Sequence, residues 1–319
     1  MRMLRPKAYL DTAVGIVKNL FNGEAVYPFY ASLKLTAKCG FRCPFCNMHT
    51  HKEEDLPTDE IIKILDNLSN SSVLMVSFEG GEPLLRKDIG ELLEYARKKC
   101  NFYLLFTSSA KNILDYPLKD YCQYIDFLHV SIDEGHNNLE MFDMLPKLNA
   151  FDSKLSVQVV VTNDTVATLE DKVRKCYNAD AACVIIPATD MDGADKKDFP
   201  EIKRLENTVS DLKYRYPRTI HTPLGYFNAY KKGKCSSASV IIAPNGKMFY
   251  PCNILGEFGP DLRNTNINKY LITKEASEAR EKMRNCKINC GWYQYYSVDS
   301  YLSVPHIREV LSLISRRKK

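Results

Sequence analysis

Short β-rich runs alternate with longer segments of helical period from residue 30 to about residue 190. A strand that pairs in parallel with the preceding strand needs a crossover long enough for a helix, so this alternation predicts repeated β-α units and a parallel sheet. Six strands are predicted from composition and periodicity. They cover residues 30–36, 73–78, 102–106, 126–132, 155–162 and 183–187.

Helical candidates lie between these strands, at residues 58–68, 88–99, 139–148 and 169–177. Six such units form most of a closed eight-unit barrel, so the fold class is α/β: a partial (β/α)6 TIM-like barrel with a small C-terminal cysteine-containing extension. Three parts are expected: an N-terminal helical segment at 1–28, the barrel at 29–220, and a turn-rich module with a C-terminal helix at 221–319.

Chemistry in barrels of this kind is located at the C-terminal ends of the strands. Polar, glycine-containing or cysteine-containing segments follow each predicted strand. They are residues 39–46, 80–83, 107–109, 133–136, 163 and 190–192.

Composition excludes several classes of protein. The chain has 319 residues and 45% hydrophobic content, enough for a substantial core, and it contains neither a long apolar run nor the pattern of a signal peptide. A cytoplasmic location is therefore expected. The net charge of +5 is too small to indicate nucleic-acid binding, and the basic excess is local, at residues 2–7 and 316–319.

Disulfides are not expected among the eleven cysteines in a reducing compartment, which makes metal ligation the first alternative. They divide into a tight trio, a C-terminal quartet and four scattered singles. The singles lie in or beside apolar or helical stretches and are interpreted as small buried hydrophobes. These singles are Cys100, Cys122, Cys176 and Cys183.

The trio is Cys39, Cys43 and Cys46, immediately after the first predicted strand. Gly40 and Pro44 disfavour a regular helix there, so a loop is expected. Three thiolates can hold a 4Fe-4S cluster and leave its fourth iron open to a substrate. Structural zinc is the alternative, although zinc prefers a closed set of four ligands, usually in two separated pairs.

The segment Cys39-Gly-Phe-Arg-Cys43-Pro-Phe45-Cys46 resembles the hallmark of the radical S-adenosylmethionine superfamily, Cys-x-x-x-Cys-x-aromatic-Cys. The resemblance implies that the open iron chelates S-adenosylmethionine, whose cleavage yields a 5'-deoxyadenosyl radical that abstracts hydrogen from a substrate. It also implies contacts between the bound S-adenosylmethionine and Phe45.

A second segment, Gly80-Gly81-Glu82-Pro83, follows the second predicted strand and resembles the segment of that family that receives the S-adenosylmethionine ammonium group. We expect the glycines to allow close backbone approach and the carboxylate to accept from a cation. Ser131 and Asp133 end the fourth strand, where members of the family contact the ribose or carboxylate. Residues 107–109 depart from the family pattern and receive no role, and Asn163 either reaches the adenosyl end or caps a turn.

The quartet is Cys235, Cys252, Cys286 and Cys290, of which the first two flank a predicted β-hairpin. It resembles the auxiliary-cluster extensions called SPASM and twitch domains. Five residues separate Gly246 from Cys252 where four are usual, and four cysteines are too few for two clusters, so the resemblance implies a single second 4Fe-4S cluster of the twitch type. Structural zinc and unliganded thiols stay open as alternatives.

The resemblance implies a radical enzyme whose partners are S-adenosylmethionine, a reductant such as ferredoxin or flavodoxin, and a peptide, protein, lipid, isoprenoid or cofactor-precursor substrate. No specific nucleic acid is expected. The alternative class is a non-catalytic iron-sulfur electron carrier or metal-binding protein.

The segment 9–21 places four apolar residues on one helical face: Leu10, Val14, Val17 and Phe21. This stripe predicts a helix packed on the barrel, with a membrane-surface anchor as the alternative. The same alternatives apply to residues 307–314.

Overall fold

The computed structural model describes residues 5–51, 54–189, 197–306 and 308. Within these ranges nine strands join one sheet. The strands are β1 (Tyr30–Lys34), β2 (Met75–Glu79), β3 (Tyr103–Ser108), β4 (Phe127–Ser131), β5 (Lys154–Val161), β6 (Ala182–Pro187), β7 (Ser239–Ile242), β8 (Lys247–Phe249) and β9 (Phe258–Asp261).

The α-helices surround this sheet and connect its strands. They are α1 (Pro6–Asn22), α2 (Thr58–Ser69), α3 (Ile89–Lys99), α4 (Leu118–Cys122), α5 (Leu145–Leu148), α6 (Leu169–Asn178), α7 (Ile202–Arg215), α8 (Gly225–Lys231), α9 (Ile267–Leu271), α10 (Lys274–Arg284) and α11 (Tyr293–Ser297).

The strand order is β6-β5-β4-β3-β2-β1-β7-β8-β9. Strands β1 to β6 pair in parallel with their sequence neighbours, which confirms the six predicted β-α units and the α/β barrel-like fold. The strand β7 adds to the free edge of β1 in parallel, and β8 and β9 follow as antiparallel strands. The C-terminal region therefore extends the barrel sheet, while the division at residues 28/29 and 220/221 stays a prediction.

Side-chain alternation explains how the sheet separates its two faces. In β2, Val76 and Phe78 are fully buried on the face toward the helices, whereas Ser77 lies on the opposite face. The helix α2 covers the apolar face with Ile64, Leu65 and other buried residues. The apolar core therefore lies between the sheet and the helices. Each fully buried side chain of this size contributes about 1.5–3 kcal/mol to folding.

Two sequence predictions differ from the structure. Residues 139–148 form a 3-10 segment, Leu139–Met144, before α5, because Pro146 cannot donate a backbone hydrogen bond and is accepted only in a first helical turn. The helix α1 forms as expected, but its large apolar face is exposed, so the prediction that this face packs on the barrel is wrong.

Two segments singled out in the sequence lie outside the described residues. They are residues 190–192 and residues 307–314, except for residue 308. None of the described helices has the length and hydropathy required to cross a membrane.

Candidate functional site

The cysteine trio occupies the loop that leaves the C-terminal end of β1. Cys43 and Phe45 are buried and pack with Val160 of β5 and with Ala188, just beyond β6. The Sγ of Cys39 accepts a hydrogen bond from the backbone N–H of Phe41 at 3.4 Å. The loop thus reaches from β1 across the end of the barrel to the opposite strands.

The chemistry of the trio fits an iron-sulfur cluster. Burial, together with the neighbouring Cys46 and Asp133, raises the pKa of the Cys43 thiol to about 12. Burial also raises the pKa of Cys39, and Cys46 and Glu82 contribute in the same direction. Thiolates gathered among other thiols and carboxylates need a cation to be stable, and the iron of a cluster supplies that positive charge.

Gly80 and Gly81 lie close to the backbone that leads into the cysteine loop. A Cβ atom on Gly81 would lie 2.1 Å from the carbonyl oxygen of Lys38, and the Gly81 N–H donates to the carbonyl of Thr36 at 2.7 Å. Gly80 has φ +143°, and a Cβ atom there would lie 2.5 Å from the same Thr36 carbonyl. The glycines therefore hold the backbone that leads into Cys39, which is a structural reason for them besides ligand approach.

Glu82 is buried beside the trio, and both of its carboxylate oxygens accept hydrogen bonds. Oε1 accepts from the hydroxyl of Ser108 at 3.0 Å and from the N–H of Leu84 at 3.1 Å, and Oε2 accepts from the N–H of Ser109 at 2.9 Å. Burial raises the pKa of the Glu82 carboxyl, and the hydrogen bonds from Ser109 and Leu84 oppose the rise. Ser108 and Ser109, which received no role from the sequence, thus position this carboxylate.

Pro83 begins a short 3-10 turn, Pro83–Leu85, that ends at a buried arginine. The guanidinium of Arg86 donates to the carbonyl of Leu35 and to the carbonyl of Leu56, both at 2.9 Å, and it pairs with Asp88 at 2.6 Å. The turn therefore ties the end of β2 to the end of β1 just before the cysteine loop.

Asp133, at the end of β4, is fully buried and connects three elements. Its Oδ2 accepts from the N–H of Val160 in β5 at 3.0 Å, and its Oδ1 lies 2.8 Å from Nδ1 of His136. The His136 ring meets the Phe45 ring edge-on, with centroids 5.6 Å apart. Sequence reasoning gave His136 no role; its only signal was a position three residues after Asp133.

Ser131 is buried on the interior side of β4, where its Oγ accepts from the Gln158 side chain at 3.3 Å. Lys34 and Glu79, the last residues of β1 and β2, are register neighbours on the same interior side. Burial raises the pKa of the Glu79 carboxyl, and the nearby Lys34 ammonium opposes the rise. Among the described residues, Oε1 of Glu79 is buried without a hydrogen bond. The barrel interior therefore offers polar partners to a ligand.

Asn163 lies on the surface and not in the barrel interior. Its side-chain oxygen accepts a hydrogen bond from the backbone N–H of Glu201 at 3.4 Å.

A cleft of about 570 Å³ opens beside the trio at the ends of β2, β3 and β4. Phe41 and Arg42 of the cysteine loop form one wall, and Glu82 and His136 belong to the others. The cleft therefore gives access from outside to the loop that carries the trio. The rest of its lining comes from Gly40, Leu85, Ala110, Lys111, Asn112, Tyr116, Gly135 and Asn137.

Two of the four cysteines of the C-terminal quartet, Cys235 and Cys252, belong to segments that are held beside α11. Tyr295 joins two of the segments: its carbonyl accepts from the N–H of Ser236, next to Cys235, and its hydroxyl accepts from the N–H of Asn253, next to Cys252. Burial, together with the other three thiols of the quartet, raises the pKa of Cys235 to about 12. The same cause raises the pKa of Cys252 to about 11.

The predicted hairpin is confirmed, since β7 and β8 pair antiparallel between Cys235 and Cys252. The four thiols fit a multi-iron cluster by the same charge argument as the trio. In the part of the chain that the structure describes, no three His, Cys, Asp or Glu side chains are grouped as ligands of one metal ion.

This chain is similar to known proteins in sequence and in fold. The model of the radical SAM superfamily matches residues 33–205. A PqqA peptide cyclase from Rhodopseudomonas palustris is 38% identical over 85 residues, which cover 26% of this chain and 22% of that protein. The corresponding cyclase from Bradyrhizobium diazoefficiens is 36% identical over the same share of both chains. The match thus spans about a fifth of the length of these relatives.

Solved structures share the fold. Streptococcus suis SuiB bound to the precursor peptide SuiA has a TM-score of 0.65 at 15% identity, covering 84% of this chain and 70% of that chain. Native anSMEcpe with bound AdoMet and Cp18Cys peptide has a TM-score of 0.60 at 16% identity, covering 90% and 98%. The family match covers more than half of the 319 residues of this chain. We conclude that the chain belongs to the radical S-adenosylmethionine superfamily, and membership implies two cofactors for it, a 4Fe-4S cluster and S-adenosylmethionine.

Proposed function

We propose that this chain is a radical enzyme that modifies a peptide. When bound, the cluster supplies an electron for the cleavage of S-adenosylmethionine, which supplies a radical for hydrogen abstraction. Cys39, Cys43 and Cys46 hold the cluster in this proposal. The observation that carries it is the position of the trio, whose loop packs across the barrel end with Glu82 and Asp133 beside its thiols.

The other site residues either contact the cofactors or hold the residues that do. Glu82 provides a fixed negative charge for the S-adenosylmethionine ammonium group, and Pro83 sets the turn that follows it. Gly80 and Gly81 keep the cysteine loop against β2, Asp133 and His136 orient Phe45, and Ser131 offers a hydroxyl from the interior.

The names of the similar proteins favour a peptide substrate. PqqA peptide cyclase is named for a peptide, SuiB is bound to a precursor peptide, and anSMEcpe is bound to the Cp18Cys peptide. The polar barrel interior around Glu79 and Ser131 suits the amide groups of a peptide better than a hydrocarbon chain. The C-terminal quartet, Cys235, Cys252, Cys286 and Cys290, holds a second 4Fe-4S cluster in this proposal.

Two further partners belong to the proposal. An acidic electron carrier of the ferredoxin or flavodoxin class would approach the exposed Arg42 at the rim of the cleft, because opposite charge steers such encounters. Peripheral contact with a membrane is favoured by the apolar face that α1 leaves exposed.

The test is formation of 5'-deoxyadenosine by the anaerobically reconstituted, reduced protein. Cys39→Ala, Cys43→Ala and Cys46→Ala should each abolish it, because two thiolates under-ligate the cluster. Cys122→Ala, at a buried thiol of α4 away from the trio, is the matched control and should retain activity. Cleavage that survives in all three trio variants would refute the proposal. A wild-type protein that holds a cluster but never cleaves S-adenosylmethionine would favour the electron-carrier class.

A further inference from the structure

The helix α1 lies at the N-terminal end of the barrel strands. The hydroxyl of Thr12 donates to the carbonyl of Ser72, which precedes β2, at 2.9 Å. Tyr9 contacts Tyr103, the first residue of β3, with ring centroids 5.7 Å apart. The cysteine trio follows the other end of β1, so α1 and the candidate site are at opposite ends of the barrel.

The helix packs on the protein through its small residues. Ala8, Thr12 and Gly15 are its buried positions. A Cβ atom on Gly15 would lie 2.8 Å from the Cβ of Ser72, so glycine is what permits this close approach. The side chain of Asn19 fixes the following turn by accepting from the N–H of Tyr27 at 2.8 Å. The side of the helix that is attached to the barrel therefore buries little large apolar surface.

The large apolar residues are on the opposite side. Phe21 is 87% exposed and Leu10 is 64% exposed, and both belong to the stripe that the sequence predicted as a packing face. Large hydrophobic residues exposed singly are ordinary, but a contiguous set marks an interaction surface. We call this set the α1 apolar face; it consists of Leu10, Val14, Val17, Leu20 and Phe21.

The charges beside this face are mainly basic. Lys7 and Lys18 are separated by eleven residues, about three helical turns, and are therefore on the same edge of the face. The one carboxylate on the helix, Asp11, lies 3.5 Å from Lys7. Lysines at the edge of an apolar face can extend their ammonium groups toward lipid phosphates while the aliphatic stems stay in the apolar layer.

We propose that α1 is an interfacial helix that holds the protein on an anionic membrane surface, with its apolar face in the lipid and Lys7 and Lys18 at the headgroups. The proposal specifies the peripheral contact named above and is independent of the radical chemistry. Because the trio is at the far end of parallel strands, the cleft then opens toward water, and the substrate enters from the aqueous side.

The experiment is co-sedimentation of the reconstituted full chain with vesicles. One set contains phosphatidylcholine with phosphatidylglycerol, and the other contains phosphatidylcholine alone. The double variant Leu10→Glu/Val17→Glu places charge in the apolar face without touching a buried residue. Ile272→Glu, at a position 67% exposed just after α9, is the matched control.

We expect the wild type and the Ile272→Glu variant to bind the anionic vesicles. The double variant should bind the anionic vesicles at least about tenfold more weakly. Removing even a modest apolar area from the lipid lowers the affinity by this factor. Lys7→Gln/Lys18→Gln should lose the preference for anionic lipid. Formation of 5'-deoxyadenosine in solution should be the same in all these variants, which shows that they fold and separates failure of this proposal from failure of the radical chemistry.

Three results would overturn the proposal. The wild type could leave both kinds of vesicle unbound, or it could bind neutral and anionic vesicles equally. It could also be a dimer without lipid that the double variant converts to a monomer, in which case a second copy of the chain covers the face.

Discussion

The carboxylate of Glu82 accepts a hydrogen bond from the hydroxyl of Ser108 at 3.0 Å. This bond connects the loop after β2 to the end of β3, and the neighbouring Ser109 N–H binds the second oxygen of the same carboxylate. A charged group that is buried and held on both oxygens is preorganised, since it loses little entropy when a cation arrives. The geometry therefore separates two contributions of Glu82, its charge and its hydrogen bonds.

We predict that Glu82→Gln lowers both S-adenosylmethionine affinity and stability. The variant loses the negative charge and presents an amide N–H to a backbone donor, which costs about 1.5–3 kcal/mol of unfolding free energy. Ser108→Ala removes one hydrogen bond, costs about 1 kcal/mol and keeps the charge. Equilibrium dialysis and urea unfolding measure the two effects. Affinity that falls equally in both variants would show that the charge of Glu82 has no separate role.

Gly81→Ala should lower the cluster content together with S-adenosylmethionine binding. The added Cβ would lie 2.1 Å from the Lys38 carbonyl, so the backbone entering Cys39 has to move. The control is Gly40→Ala inside the cysteine loop, where the added Cβ meets no atom within 4 Å. Iron analysis and the visible absorption of the reconstituted proteins measure the effect. A Gly81→Ala protein with full cluster content and weak S-adenosylmethionine binding would instead favour a direct ligand contact.

Strands and the trio could be predicted because their signals are local. A β-rich run and three cysteines within eight positions need no knowledge of distant residues, and the six strands were found within a few residues of their true ends. The pairing of Glu82 with Ser108 and the packing of His136 on Phe45 depend on residues 26 and 91 positions apart. Such contacts are set by how the strands align in the sheet, which periodicity does not specify.

The error on α1 has a similar physical origin. Periodicity identifies the apolar face of a helix, but it does not show whether that face is covered by the sheet or exposed to solvent. Here Thr12 and Gly15 fit the narrow approach to Ser72, which a large side chain would prevent. The parallel pairing of β7 with β1 does not follow from the sequence for a related reason. The four residues of β7 have the pattern of any hairpin strand, and this pattern does not identify the second strand with which they pair.

We predict that cluster loading rises with pH. A thiol must lose its proton to bind iron, and burial places the pKa of Cys43 at about 12 and that of Cys252 at about 11. Loading should therefore release protons and proceed further at about pH 8.5 than at about pH 6.5, near and below the ordinary thiol pKa. Reconstitution with iron and sulfide at a series of pH values, followed by iron analysis, measures this. Loading that is independent of pH would contradict the assignment of these thiols as ligands.

The same pKa shifts predict how the metal-free protein responds to base. A folded-state pKa above the unfolded value contributes stability below about pH 8.5, and that contribution is lost as the pH rises toward the folded value. The urea midpoint of the metal-free protein should therefore fall above about pH 8.5. Thiolates bound to iron have no proton to lose, so the loaded protein should show a smaller fall. Equal falls for both forms would be contrary evidence.

The last prediction is that Cys235, Cys252, Cys286 and Cys290 hold a 4Fe-4S cluster separate from that of the trio. Reconstituted protein should carry about eight irons per chain, and replacement of the quartet should reduce this to about four, since each cluster holds four. S-adenosylmethionine cleavage should survive in part, because segments of the quartet are held beside α11, whereas the trio follows the end of β1. Cys100→Ala, at a buried thiol after α3, is the control and should leave about eight irons.

A zinc site in the quartet predicts a different inventory, about four irons and one zinc in the intact protein. Metal analysis with Mössbauer spectroscopy distinguishes the two sites, because only iron gives that signal. Cys286→Ala is the decisive variant, since this thiol lies in a separate segment from Cys235 and Cys252 and its loss leaves either site with three ligands. One equivalent of zinc that disappears with Cys286→Ala would refute the second cluster. The trio would then carry the radical chemistry alone, and the quartet would act by holding β7, β8 and α11 together.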